Sequence, residues 1–226
     1  MNIFWKSCLG FALLGALYCG PEVLPDRTGG AFWLTPEGTA VAAAATGGGA
    51  VVPVPSVTEK PRIFATAIAY NGNLGGVAGA DAKCMADGLR PTTGTYKAML
   101  VDDVNRRACS TMDCSGGVSE NIDWVFRANQ LYFQADGLVA ILTTNSAGIH
   151  DFGMANLGNP AAPGSFQYWT GLVSDWRTNS QVCSNWSSNM DPLQGMTGEA
   201  GQVTGNAIQD DPDDCDSFAR ILCVEQ

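Results

Sequence analysis

Asp210–Gln226 reads DDPDDCDSFARILCVEQ, and five aspartates there crowd two cysteines, Cys215 and Cys223, spaced eight apart. Three readings compete: a cation site built from the acids, a solvated charged loop, or a disulfide frame to which the acids are incidental. Calcium takes about six to eight oxygen ligands, several of them converging carboxylates. Asp210, Asp211, Asp213, Asp214 and Asp216 supply some of these, but no EF-hand spacing accompanies them. The second half, FARILCVE (218–225), is a short apolar run behind turn-forming residues and reads as a strand. The stretch is therefore read as a charged loop entering a closing strand, with one cysteine in each part.

The other cysteines follow from this one. Eight are present, of which Cys8 lies in the apolar run CLGFALLGALY (8–18) and Cys19 follows it directly. That run is too short to span a bilayer and fits the core of an export signal. An apolar run ending in Cys resembles a bacterial lipoprotein signal, although Tyr18 is bulkier than the residue usual before the lipidated cysteine. The expectation is a signal peptide over residues 1–18, lipidation at Cys19, and anchoring in the bacterial outer membrane with surface exposure. Six cysteines then remain: Cys84, Cys109, Cys114, Cys183, Cys215 and Cys223. In an exported, loop-rich chain they form a disulfide framework by default. A zinc site is disfavoured, since there is no CxxC pair and one histidine, His150, in the chain. Cys109 and Cys114 span a hairpin-sized loop and suit a local pair; spacing leaves the other pairings open.

Residues 19–61 read as a flexible tether, rich in Gly, Pro and Ala and without helical or strand period. Its reach is on the order of 35 Å, and AFWL (31–34) is its one apolar island. The folded domain is expected over residues 62–226. RIFATAIAY (62–70), TYKAMLV (95–101), LVAILTT (138–144) and FQYWTGLV (166–173) read as strands alongside the closing one. GVAGADAKCMADGL (76–89) reads as a helix with Val77, Ala80 and Cys84 on one face and a Lys83–Asp87 pair four residues apart. The stretches 145–165 and 185–214 read as long polar loops. The fold class is α+β, with short mixed strands, one or two helices and long loops.

Charge is unevenly placed. Between residues 62 and 128 seven Lys/Arg balance seven Asp/Glu, whereas between 129 and 226 two arginines, Arg177 and Arg220, face eleven acids. Such a surface repels nucleic acid, heparin-like glycans and anionic headgroups, and favours basic partners.

Several motifs in order carry a resemblance. GVAGADAKC (76–84), GTYKAML (94–100), YWTGL (168–172), CSNW (183–186) and the Cys215/Cys223 pair ending in ILCVEQ resemble the endostatin-related branch of C-type-lectin-like domains. They are most similar to the leptospiral endostatin-like lipoproteins, over residues 62–226. The resemblance implies a C-type-lectin-like fold with Cys84 bonded to Cys223 and Cys183 to Cys215, leaving Cys109 with Cys114. It also implies a display-and-capture role without turnover, with host extracellular-matrix proteins such as laminin or fibronectin, or the complement regulator factor H, as partners.

The chemical alternatives are weaker. Sugar-binding C-type lectins carry EPN or QPD loops and a WND triplet; that triplet position here is DDP (210–212), so no cofactor is expected and calcium is the alternative. His150 sits in GIHDFG without a nucleophile motif, and GNLGGVAG (72–79) lacks phosphate-loop spacing. Trp124 and Trp169 are expected in the core. Trp176 and Trp186, flanked by Ser, Asp and Asn, are expected to be partly exposed ligand contacts, together with Asp210, Asp211, Asp213 and Asp214. The alternative readings are a calcium-dependent carbohydrate-binding lectin and a periplasmic structural protein without host ligand.

Overall fold

A computed structural model describes residues 60–91 and 94–226. The expected signal peptide, the lipidation at Cys19 and the tether lie outside the described residues.

The apolar runs form the strands that organise the molecule. Strands β1 (Arg62–Ala65), β2 (Tyr96–Ala98), β3 (Leu131–Gln134), β4 (Ala140–Thr143), β5 (Gln167–Trp169), β6 (Gln194–Glu199), β7 (Pro212–Asp214) and β8 (Arg220–Glu225) make one eight-stranded mixed sheet. Its order is β4-β3-β1-β8-β5-β6-β7, with β2 also paired to β8. The closing strand is thus central. One edge of β8 pairs antiparallel with β1 (Ile63↔Val224), while its other edge is shared: Ile221 lies beside Trp169 of β5, and Cys223–Glu225 beside β2.

Period-2 alternation on these strands divides the core in two. Ile63, Ala65, Met99, Tyr168, Leu222 and Val224 pack on one face with Phe126, Tyr132, Ile141 and Trp176. Phe64, Tyr96, Ala98, Trp169, Ile221 and Cys223 point to the other, where helix α1 (Gly76–Ala86) covers them with Val77, Ala80 and Cys84. A central strand buried on both faces needs an unbroken apolar run, and ILCV supplies it.

Among the described residues three disulfides form, Cys84–Cys223, Cys183–Cys215 and Cys109–Cys114, the set the resemblance implies. The first ties α1 to β8 and the second ties the segment after β5 to the end of β7.

The polar stretch 185–214 is not a continuous loop, since β6 and β7 lie within it. β6, QGMTGE, holds two glycines, which disfavour a strand in isolation. Packing explains them: a Cβ on Gly195 would stand 2.8 Å from the Cys183 Sγ and from the Trp169 ring, and one on Gly198 would stand 2.5 Å from Ala207 O. The Lys83–Asp87 pair does not form either. Asp87 accepts from Ala67 N–H and Leu89 N–H, fastening the helix end to the chain after β1, while Lys83 lies 5.0 Å from the Tyr70 ring centroid.

Candidate functional site

The acidic stretch forms the free edge of the sheet. β7 pairs with β6 from Gln194↔Asp214 to Met196↔Pro212, and among the described residues no strand lies beyond it. Backbone bonds hold the stretch at both ends: Asp210 N–H donates to Thr197 O (2.8 Å), and Cys215 N–H to Leu193 O (2.8 Å). The Thr197 hydroxyl donates to Asp211 O (2.6 Å). Asp211, Asp214 and Asp216 are exposed, and Asp210 and Asp213 half-buried. Phe218, two residues beyond Asp216, is 70% exposed. Among the described residues no three His, Cys, Asp or Glu side chains are grouped as a metal ion requires. The edge is a fixed anionic rim beside an exposed aromatic ring, and charged edge strands also resist pairing with other sheets.

Trp176 and Trp186 are not exposed contacts; both are buried, at 1% and 0% exposure. For Trp186 the reason is the backbone. Cys183, Ser184, Asn185 and Trp186 all have positive φ (44°, 55°, 55° and 60°), so CSNW forms a left-handed turn. Such a turn costs roughly 1–2 kcal/mol per L-residue and persists only where the surroundings over-determine it. Here the Cys183–Cys215 bond holds one end. At the other, the Trp186 ring packs 5.9 Å from Trp169 and its N–H donates to Val101 O (2.8 Å). The turn leaves Ser184 and Asn185 outside. Trp176 stacks on Phe152 (5.8 Å, 13°), meets Trp124 and Phe126 edge-on, and donates to His150 O (2.6 Å). Polar sequence neighbours gave no warning, because the rings turn inward while the neighbours stay at the surface. The His150 ring lies within hydrogen-bond distance of Ala155 O (2.9 Å, Nε2) and of Thr143 O (3.4 Å, Nδ1).

A second surface lies elsewhere. Residues 103–110 and 173–180 enclose an open groove of about 470 Å³, with Arg107 and Arg177 in its walls. The first wall is shaped by two carboxylates. Asp102 accepts from the N–H groups of Val104, Asn105 and Arg106, closing a turn. Glu120 accepts from the N–H groups of Ser110, Thr111 and Gly116 and from both hydroxyls, and so holds the Cys109–Cys114 loop. The Thr111 hydroxyl first, then the Thr111 and Gly116 N–H groups and the Ser110 hydroxyl, draw the Glu120 carboxyl down to about 2. The second wall joins the first where Cys109 N–H donates to Trp176 O (3.2 Å) and Asp113 N–H to Asp175 O (3.0 Å).

Adjacent arginines part company here. Arg106 is fully buried and spends its donors on Asp81 (2.9 Å twice), Asp123 (2.5 Å), Asp123 O (2.9 Å) and Ala98 O (2.7 Å). Arg107 faces the groove. Of the two cations after residue 128, Arg220 sits 4.3 Å from the Phe166 ring centroid, and Arg177 stands in the groove. The groove was not foreseen from sequence; DDVNRR (102–107), an Asx-type turn ahead of paired arginines, was the one local signal.

Fold and surfaces together define the class: an α+β domain stapled by three disulfides, with an anionic sheet edge and a separate two-arginine groove. The chain belongs to the family described as "Protein of unknown function (DUF1554)", which matches residues 67–203, more than half of its length. That match begins after β1 and ends before β7, so the acidic edge, Cys215 and Cys223 lie beyond it. No curated protein matches the chain.

Proposed function

We propose that this is an endostatin-like, C-type-lectin-like binding domain, held at the bacterial cell surface by a lipid on Cys19, that captures host proteins without turnover. Extracellular-matrix proteins such as laminin and fibronectin, and the complement regulator factor H, are the partners the resemblance points to. The observation carrying the reading is the rim Asp210–Asp216, whose exposed acids lie on β7 (Asp214) and at its two ends (Asp211, Asp216), a segment pinned by Cys183–Cys215 and joined through a short turn to β8. A rigid anionic edge recognises basic patches without first being ordered, and its long-range field speeds encounter.

Solid-phase binding of the full chain to a panel of matrix and complement proteins, with and without chelator, tests this. Binding is expected to weaken steeply with salt, to survive chelation, and to fall when Asp211, Asp214 and Asp216 are replaced together by Asn. Capture that is unmoved by salt and by that triple replacement overturns the role of the rim. Capture lost on chelation favours the calcium-dependent lectin. Protease treatment of intact cells that spares the protein favours the periplasmic alternative.

A further inference from the structure

The groove between residues 103–110 and 173–180 is unused by the reading above, and its chemistry differs from that of the acidic rim. Its volume, about 470 Å³, lies within the range of small-molecule sites, roughly 300–1,000 Å³. Its walls are mostly polar: Asp103, Arg107, Ser110, Arg177, Thr178 and Asn179 contribute charges, hydroxyls and an amide. We propose that this groove binds a small hydroxylated carboxylate, with the two guanidiniums receiving the carboxylate and the wall hydroxyls and amide receiving the hydroxyls.

Both arginines are oriented from behind and keep donors in reserve. Arg177 gives its Nε and Nη2 to Asp175 (2.7–3.1 Å), so the fork is fixed although the side chain is 48% exposed. Its Nη1 has no partner among the described residues. Arg107 donates from Nε to Glu120 O (3.0 Å) and touches Asp103 at 3.4 Å. A charge-assisted hydrogen bond is usually about 2.7–2.9 Å, so the 58%-exposed Asp103 holds Arg107 loosely and a ligand carboxylate displaces it readily. The Thr178 Oγ1 is buried without a hydrogen-bond partner, so it meets a ligand hydroxyl only after its side chain rotates toward the groove.

The acids beside the arginines leave the groove with little net charge, so it does not act as a general anion trap. Selectivity comes from geometry: with the inner edge of Arg177 taken by Asp175, its outer edge, Nη1–H and the second Nη2–H, meets a planar carboxylate two bonds at a time, whereas an ammonium offers a point charge.

Titration of the full chain with sodium gluconate, with sorbitol and with inorganic phosphate, followed by calorimetry and by NMR shifts, tests the assignment. Gluconate is expected to bind saturably in the millimolar range or tighter, and at least tenfold more tightly than sorbitol or phosphate. Arg177→Lys, which keeps the charge but loses the fork, is expected to weaken gluconate at least tenfold, as is Arg107→Gln, while Arg220→Gln leaves it unchanged. Thermal unfolding of Arg177→Lys confirms that the variant is folded. Absence of saturable gluconate binding overturns the proposal; so does sorbitol or phosphate binding as tightly as gluconate, or affinity unmoved by Arg177→Lys. None of these outcomes bears on protein capture by the acidic rim.

Discussion

Cys84 in α1 is bonded to Cys223 in β8, and the loop so closed spans 139 residues. The bond joins the helix to the strand that β1, β2 and β5 all pair with. Almost every element of the described domain lies inside that loop or touches one of its ends.

Removing the disulfides one at a time is expected to rank by loop length. By chain entropy, loops of 139, 32 and 5 residues give about 5, 4 and 2 kcal/mol for Cys84–Cys223, Cys183–Cys215 and Cys109–Cys114. Urea unfolding of the three Cys→Ala double variants measures the order. A Cys109–Cys114 variant less stable than the Cys84–Cys223 one would sink this entropic account.

Arg106 is expected to be the costliest single charge to remove. It bridges α1 (Asp81), the strand residue Ala98 and the loop residue Asp123 from a fully buried position. Arg106→Met strands those acceptors and should cost about 3–5 kcal/mol in denaturant unfolding. Arg106→Lys should recover little, since an ammonium cannot reach five acceptors in one plane.

Glu120 makes the Cys109–Cys114 loop acid-sensitive. Its carboxyl, ordinarily near 4.5, is drawn down to about 2 by the bonds from Thr111, Gly116 and Ser110. A depressed carboxyl contributes stability that is fully present above its unfolded value and is lost as pH falls through its folded one. The loss therefore runs from about pH 4.5 down to about 2. The protection of the Ser110, Thr111 and Gly116 amides, measured against their intrinsic exchange rate at each pH, should fall across that range in the native protein. Glu120→Gln should show fast exchange at pH 7 already, because its amide group meets N–H donors with donors.

Trp186→Phe separates packing from hydrogen bonding. The ring stays mostly filled, but Val101 O loses its donor (2.8 Å), which should cost about 1–3 kcal/mol. Trp186→Ala should cost more, about 3–5 kcal/mol, and release the left-handed turn at Cys183–Trp186. If the rim rather than the indoles meets the partner, Trp186→Phe leaves capture by the folded protein unchanged.

Where an element is local and apolar, its reading from sequence held. The α1 face Val77, Ala80, Cys84 and the run ILCV were legible because spacing of 3.6 and an unbroken apolar strand each have one simple burial solution. β6 was not legible, because the reasons for Gly195 and Gly198 are Trp169, Cys183 and Ala207, which come from other parts of the chain. β3, four residues long, was missed between polar neighbours.

By itself the sequence determined the α+β class, the excess of acid after residue 128, the helix face and the closing strand, all of which depend on composition and short-range period. Tertiary structure alone decided which of two neighbouring arginines is buried, that four consecutive residues turn left-handed and take Trp186 inside, and that two distant loops meet to form a groove. Those outcomes rest on contacts between residues tens of positions apart, and such contacts leave no periodic trace along the chain. The stretch DDPDDCDSFARILCVEQ shows both sides: its cysteines and apolar run marked the centre of the sheet, while only the pairing of β7 with β6 made its aspartates an edge.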